Sequence, residues 1–220
     1  MPEPPEPPAT ARTVSLPAER VARWIDNFVE RHGGLGPDGT AADEHGVWLR
    51  GADGDQAWLR LPFPPWDVPA SRVLTSLSIE AARERRVGVL LVRRGGYAAG
   101  VFEGTRLITS KVGSAYVQGT TKAGGWSQQR YARRRDNQAR AAFAEAADVA
   151  VRVLVPEQQT LEALVLGGDH AACDAVLTDP RLQELGALRR GPFLPVPDPK
   201  LAVLQASPAA FRALTVRLSP

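Results

Sequence analysis

The stretch VGVLLVRR (Val87–Arg94) decides the fold of this sequence. It is a nearly continuous apolar run, which is typical of a strand buried on both faces. Gly95–Gly96 turns the chain, and two β-like segments, YAAGVFEG and TRLITSKV, follow on either side of a turn at Glu103–Gly104. We therefore predict three successive antiparallel strands that lead into a glycine-rich segment beginning at Gly113.

Helices and strands alternate after this meander. An alanine-rich, charged segment predicts a helix over Arg130–Ala150, and VRVLVP (151–156) after it predicts a strand. A second apolar run ends at Leu166, and GGDHAACDAVL predicts a tight turn into a helix. A last strand is predicted within Phe211–Leu218. The pattern indicates an α/β fold with a mixed α+β sheet flanked by helices.

The sequence before the main domain predicts a small N-terminal extension made of a helix and a β-hairpin. Residues 1–12 are rich in proline and predict a disordered tail, and Ser15 is a candidate cap for an amphipathic helix from Val21 to Val29. Two short apolar runs around GADGDQ, within Gly46–Leu61, predict a β-hairpin. We expect three regions: the tail at 1–12, a helix-and-hairpin extension at 13–69, and the main domain at 70–220.

Three tryptophans lie in or just after the predicted hairpin: Trp48, Trp58 and Trp66. They form either a binding surface or the filling of a modest core. Core packing is the favoured interpretation, because large aromatic side chains contribute most of their free energy through burial.

Several function classes are disfavoured by what the sequence lacks. One cysteine, Cys173, forms no intramolecular disulfide, and His32, His45 and His170 show no metal-ligand spacing, so no metal site is expected. The sequence has no secretory leader at its N-terminus and no apolar run of about 18 residues, which favours a cytoplasmic protein without a membrane partner. P-loop and dinucleotide-binding motifs are absent. Asp136 stands alone among arginines, which disfavours a two-metal nuclease.

Two smaller features have a structural and a functional interpretation. Gly167-Gly168-Asp169-His170 either cradles a phosphate or forms a strand-to-helix turn capped by Asp169, and the turn is favoured. Cys173 in the following helix is expected to be buried rather than nucleophilic, because the sequence identifies no basic partner for it.

The strongest functional signal is GSAYVQGTTKAGGWSQQRYARRRDNQAR (Gly113–Arg140), a glycine-rich loop that opens into a basic helix. The net charge is only +3, but this stretch concentrates arginines, and a local patch sets the local field. Glycines permit close backbone approach, and aromatic rings such as Trp126 stack on bases. The candidate phosphate contacts are Lys122, Arg130, Arg133, Arg134 and Arg135.

GGWSQQRYARRR within this stretch resembles the GGQ loop and following helix of the catalytic middle domain of eukaryotic and archaeal class I release factors. Gly124, Gly125, Ser127, Arg130, Tyr131, Ala132, Arg133 and Arg135 fall on that pattern. The sequence looks closest to the actinobacterial branch of release-factor-like peptidyl-tRNA hydrolases, which is related to the tRNA hydrolases of ribosome-associated quality control. The resemblance implies a release-factor middle-domain-like fold.

The position of the family glutamine is the point of departure. In ungapped register Trp126 stands where the family has glutamine. When the sequence is aligned with the looser Gly-Gly-Ser-Gln loop of the quality-control hydrolases, Ser127–Gln128 matches Ser-Gln. When the alignment is counted from Thr120–Thr121, the glutamine position falls on Gln129. Both glutamines therefore remain candidate catalytic residues, with Gln128 slightly preferred.

The resemblance implies hydrolysis of the ester between nascent peptide and tRNA at the peptidyl-transferase centre, in the rescue of stalled ribosomes. Its implied partners are the large ribosomal subunit and peptidyl-tRNA, and a monomer is expected. A glutamine is neutral at pH 7, but it can orient a water molecule and donate a hydrogen bond to an oxyanion. The alternative from the residues alone is a non-catalytic ribosome- or RNA-binding factor that uses the basic helix 130–140.

Overall fold

Two units, each with its own sheet and core, make up the protein. In the computed structural model the backbone is described for residues 4–114 and 127–220, and side chains for residues 4–114 and 140–220. Unit 1 comprises Met1–Arg83 and Ala209–Pro220, and unit 2 comprises Glu84–Pro208. This division differs from the predicted boundary at 69/70, with the last strand in the main domain. The last strand, Leu214–Leu218, belongs to the sheet of unit 1, because it pairs with a strand on each side there.

The helices and strands, numbered in chain order, are β1 (Arg12–Leu16), α1 (Val21–Arg31), β2 (Leu35–Asp43), β3 (Gly46–Gly51), β4 (Gln56–Arg60), α2 (Val73–Ala82), β5 (Arg86–Arg93), β6 (Gly96–Glu103), β7 (Arg106–Ser114), α3 (Ser127–Leu154), β8 (Ala163–Gly168), α4 (His170–Leu177), α5 (Gln183–Gly186), α6 (Leu201–Ala206), α7 (Pro208–Phe211) and β9 (Leu214–Leu218). Short 3-10 helices lie at Ala18–Arg20, Val155–Thr160 and Pro180–Leu182. No helix in the described part of the chain has the length and apolar content needed to cross a membrane.

Unit 1 is an antiparallel sheet of order β1-β9-β4-β3-β2 that packs against α1 and α2. The predicted hairpin is confirmed, with Trp48 opposite Trp58 across β3 and β4. Its core joins Ile25 and Phe28 of α1 to Leu77 of α2 and to apolar residues of the strands. The amphipathic spacing of the predicted N-terminal helix therefore marks a buried face.

The tryptophans serve mainly as core and staple, as the favoured interpretation predicted. Trp58 and Trp66 are buried, and their indole N–H groups donate to backbone oxygens of Pro5 at 2.6 Å and Asp43 at 2.7 Å. Trp48 is half-buried. These bonds satisfy the polar tip of each buried ring, which is the usual requirement for burying tryptophan.

Unit 2 is built on a mixed sheet of order β7-β6-β5-β8. The predicted meander is confirmed, because β5, β6 and β7 are antiparallel neighbours, whereas β8 runs parallel to β5. α3, α4 and α5 share one core cluster with strand residues such as Leu90 and Leu164. Leu204 of α6 lies near Gly100 of β6. With two sheets flanked by helices and an N-terminal helix, the predicted mixed α/β class is confirmed.

Two local predictions are wrong. Residues 151–154 of the predicted strand VRVLVP continue α3, because Val149, Ala150 and Val153 recur at helical spacing and are buried together. Pro156 lies in the 3-10 helix that follows. Ser15 belongs to strand β1, where it pairs with Thr215, so it caps no helix.

The beginning of the chain also differs from the predicted disordered tail. The structure describes the chain from Pro4 onward, and Arg12 already starts β1 opposite Leu218. Ahead of this strand, Pro5 and Pro8 offer backbone oxygens to Trp58 and Arg217. Proline lacks an N–H but keeps its carbonyl, so a proline-rich segment can still accept hydrogen bonds.

Candidate nucleic-acid interface

The predicted loop connects β7, an edge strand of the sheet in unit 2, to α3, which contains the predicted basic helix. β7 ends at Ser114, and α3 begins at Ser127. Lys122, Gly124, Gly125 and Trp126 fall in the intervening segment, outside the described residues. The structure therefore provides the two ends of the predicted RNA-contacting segment.

The predicted glutamines and arginines belong to α3. The sequence prediction started the helix at Arg130, but the backbone is helical from Ser127, so Gln128 and Gln129 occupy its first turn. Arg130, Arg133, Arg134 and Arg135 follow within the next two turns, and the side chains of all these residues lie outside the described part. The first four N–H groups of a helix have no partner within the helix, and this end carries a partial positive charge.

The charge of α3 changes sign along its length. Its N-terminal half carries the arginine cluster, whereas Glu145 and Asp148 follow further along. Cations at a helix N-terminus oppose the helix dipole and repel one another. Together these features favour an anionic partner at the N-terminal half, such as the phosphates of RNA.

The C-terminal half of α3 anchors the helix on the sheet. The first buried side chain among its described residues, 140–154, is Ala146, and a buried seam continues from there. At 1.5 Å per residue, Ser127 lies about 28 Å along the helix axis from Ala146. The buried half fixes the axis, so the direction of the arginine-bearing half is set by packing.

Tyr97 joins the two ends of the candidate segment. A Cβ on Gly113 would lie 2.3 Å from the Tyr97 ring, so only glycine lets β7 pass this close. The Tyr97 hydroxyl donates to Glu145 Oε2 of α3 at 3.1 Å. Tyr97 of β6 thereby positions both the strand that enters the segment and the helix that leaves it. Burial, followed by the bond to Glu145, raises the pKa of Tyr97.

We expect Tyr97→Phe to lower the free energy of unfolding by about 1 kcal/mol, because one hydrogen bond is lost. The raised pKa means that folding holds the phenol protonated. This contribution is therefore present below about pH 10, the ordinary tyrosine pKa, and is lost as pH rises through the folded-state value. Urea unfolding from pH 7 to 11 should show the wild type losing stability above pH 10 more steeply than the variant.

A double-mutant cycle with Glu145→Ala separates this bond from other effects of either change. Additive losses from Tyr97→Phe and Glu145→Ala would show that the two side chains do not act together. A similar alkaline slope in wild type and Tyr97→Phe would contradict the assignment of the titration to Tyr97.

An ion-pair cluster fastens the exposed side of α3 to the segment after α4. Arg181 donates to Asp148 of α3 and to Asp179, both at 2.7 Å. Hydrogen bonds from Arg181 lower the pKa of Asp179 to about 2. Arg181 and Asp148 are exposed, so the cluster contributes to orientation more than to stability.

The two smaller predictions from the sequence are confirmed. Asp169 caps α4 by accepting a hydrogen bond from the Ala172 N–H at 3.0 Å, as the turn interpretation requires. Cys173 is fully buried, and its thiol contacts the backbone oxygen of Gly167 at 3.3 Å. Burial raises the pKa of Cys173 to about 11, so the thiol stays protonated at neutral pH.

The histidines have separate local environments. His170 is exposed and stacks on Phe193 with ring centroids 3.4 Å apart. His45 Nε2 lies 3.5 Å from Glu44. His32 is hydrogen-bonded to Asp53, with Asp55 close by. This last grouping has no signature in the sequence, because His32 is 21 residues from Asp53.

Sequence reasoning also missed the residues that position the site. Tyr97 and Glu145 are 48 residues apart, and no spacing rule connects a strand residue to a residue in the middle of a helix. Lys111, exposed near the end of β7, adds a cation on the strand that leads into the segment. The only hint of Lys111 in the sequence was the alternation of polar and apolar residues along TRLITSKV, which places Lys111 on the polar face of a strand.

Residues 85–217 match the family model of the Actinobacteria/chloroflexi VLRF1 release factor, which is more than half of the chain. The chain belongs to this family. The VLRF1 match contains β5 to β8, α3 and every predicted catalytic and RNA-binding residue between Lys122 and Arg135. Membership places the chain among release-factor-like proteins and confirms the resemblance found in the sequence.

A search of solved structures finds distant similarities for this VLRF1 release-factor family member. An archaeal translation termination factor, aRF1, is 14% identical with a TM-score of 0.39, covering 87% of this chain and 61% of its own. An archaeal protein has the same identity and TM-score, covering 90% and 64%. Pelota of Archaeoglobus fulgidus is 13% identical with a TM-score of 0.31, covering 89% and 59%.

The chain thus spans less than two thirds of the length of each of these structures. At these identities and TM-scores, the likeness supports no inference about function. A search of curated proteins returns no match.

Proposed function

We propose that this protein hydrolyses the ester bond of peptidyl-tRNA at the peptidyl-transferase centre of the large ribosomal subunit. The observation that carries the proposal is the release-factor family match over residues 85–217, which contains the Gly-Gly and Gln-Gln sequence of the candidate segment. The frame of β6, β7 and α3 that holds both ends of this segment supports it.

In the proposed reaction, Gln128 or Gln129 orients a water molecule against the ester carbonyl carbon. The water oxygen bonds to that carbon, the bond from carbon to the tRNA ribose oxygen breaks, and the water proton ends on the ribose oxygen. The carboxamide of the glutamine donates a hydrogen bond to the developing oxyanion, which is worth most where water is excluded. The residues use position and electrostatics, so the step calls on no cofactor.

The other candidate residues serve binding. Gly124 and Gly125 let the backbone fit among RNA, since neither carries a Cβ. Lys122 and the arginines Arg130, Arg133, Arg134 and Arg135 contact phosphates of ribosomal RNA or tRNA. We infer that the protein acts as a monomer on cytoplasmic ribosomes whose nascent chains have stalled.

The proposal is tested by peptide release. Large subunits carrying labelled peptidyl-tRNA are incubated with the protein, and free peptide is separated from peptidyl-tRNA. We expect release that saturates with protein concentration and persists in the presence of a metal chelator compatible with intact subunits. Binding to the subunits without release above the spontaneous rate would instead support the second candidate, a non-catalytic ribosome-binding factor. Trp126 at the family glutamine position is the observation that keeps this candidate open.

Both candidates require the arginine cluster for binding. Replacing Arg133, Arg134 and Arg135 with alanine removes three phosphate contacts, so we expect weaker ribosome binding. The slope of log Kd against log salt concentration should also decrease by about 2–3. Co-sedimentation with large subunits at several salt concentrations measures both quantities. Three exposed arginines of unit 1, Arg20, Arg23 and Arg31, provide the charge-matched control. Equal losses in both triple variants would show that only net charge matters.

A further inference from the structure

Three potential metal ligands meet in unit 1, far along the sequence from the candidate nucleic-acid interface. They are His32, directly after α1, and Asp53 and Asp55 in the turn between β3 and β4. His32 Nδ1 lies 2.8 Å from Asp53 Oδ2 and 3.5 Å from Asp55 Oδ2. One donor atom from each residue lies within 4.8 Å of the other two.

Backbone contacts hold the turn against the end of the helix. The Ala52 N–H approaches the backbone oxygens of His32 and Gly34 at 3.2 and 3.0 Å, and the Gly51 N–H donates to Asp55 at 2.8 Å. A Cβ on Gly51 would lie 2.5 Å from the His32 Cβ, so glycine is what permits this close approach. The backbone of the turn and of the helix end therefore brings the three residues together.

The donor set suits a divalent transition ion. Zn²⁺ takes imidazole nitrogen and carboxylate oxygen at about 2.0–2.2 Å, so two ligands of a tetrahedral site lie about 3.4 Å apart. The observed separations of 2.8 and 3.5 Å bracket that value. Mg²⁺ and Ca²⁺ prefer oxygen ligands alone, so the imidazole selects against them.

We propose that His32, Asp53 and Asp55 bind one Zn²⁺ ion, with water completing the coordination. The bound ion fastens the β3–β4 turn to the C-terminal end of α1. The side chain of His32 is 14% exposed and those of Asp53 and Asp55 are 49% and 58% exposed, so solvent reaches the ion.

A purely electrostatic grouping is the competing explanation. His32 hydrogen-bonds to Asp53, and this bond lowers the pKa of the Asp53 carboxyl. An ion pair of this kind needs no metal, and exposed pairs contribute little to stability. The two explanations differ in whether the chain takes up an ion, which is directly measurable.

The test is a calorimetric titration of the tag-free full chain with ZnCl₂, after removal of metals with EDTA and dialysis. We expect one ion per chain, and at least tenfold weaker binding in each of Asp53→Asn, Asp55→Asn and His32→Gln. Asp26→Asn, which also removes an exposed carboxylate, from α1, is the matched control and should bind as the wild type does. MgCl₂ should give no comparable signal.

No saturable binding by the wild type would overturn the proposal and leave an ion pair only, as would unchanged binding in all three ligand variants. Circular dichroism of each variant shows whether a loss reflects misfolding, and the two Asp→Asn changes preserve side-chain shape. The measurement uses no ribosomes, so its outcome is independent of the proposed hydrolysis.

Discussion

Replacing both Gln128 and Gln129 with alanine is expected to reduce peptide release from peptidyl-tRNA by roughly 10²-fold or more. This is the size of effect seen when a single oxyanion donor is removed from an enzyme site. Ribosome binding should change little, because neither glutamine carries charge and the arginine cluster remains. Single-turnover release from large subunits measures the chemical step, and co-sedimentation measures binding. The single variants assign the role, since the residue that positions the water should account for most of the loss.

Gln138→Ala is the matched control, because it removes the same side chain from the same helix three turns away from its start. We expect it to release peptide at the wild-type rate. Full activity in the Gln128→Ala/Gln129→Ala double variant would refute the catalytic assignment while leaving the release activity itself in place. Loss of activity in Gln138→Ala as well would point to the integrity of α3 rather than to a catalytic amide.

Among the Gly→Ala substitutions in the described part of unit 2, Gly168→Ala is expected to destabilise the fold most. Gly168 has φ of +102°, and a Cβ there would lie 2.2 Å from the backbone oxygen of Val92. That oxygen accepts a hydrogen bond from the Asp169 N–H at 2.8 Å, so it cannot move aside without a further loss. We expect a decrease of about 3 kcal/mol or more in the free energy of unfolding and a melting temperature lower by roughly 10 °C.

Gly34→Ala separates steric conflict from backbone strain. Gly34 has nearly the same φ, +104°, but nothing lies within 4 Å of its Cβ position. We therefore expect a loss of about 1 kcal/mol from the backbone term alone. Scanning calorimetry of the two variants and the wild type makes the comparison. Equal losses would mean that the clash at Val92 is relieved at no cost.

The sequence predicted the parts of the fold that local patterns determine. The apolar run from Val87 marked the central strand of unit 2, and Asp169 marked the start of α4 by its position before an alanine-rich helix. Residues 151–154 were assigned to a strand because valines favour strands in isolation. Their helical state depends on burial against β-strand partners that no local window contains.

The candidate site divides in the same way. Residue types at close spacing, such as Gly124 and Gly125 before a row of arginines, were visible in the sequence. The residues that position the segment were not, since Tyr97 reaches Glu145 through three-dimensional packing. The grouping of His32 with Asp53 and Asp55 likewise follows from the docking of a hairpin turn on a helix end.

The pairing of β9 between β1 and β4 sets an order of events during synthesis. The ribosome completes unit 2 before it makes β9. The strands β1 and β4 are therefore made before the strand that pairs between them. Until then, the edge of β4 has unpaired backbone groups that a strand of another chain can meet. Unit 1 therefore reaches its full sheet only after the whole of unit 2 has left the ribosome.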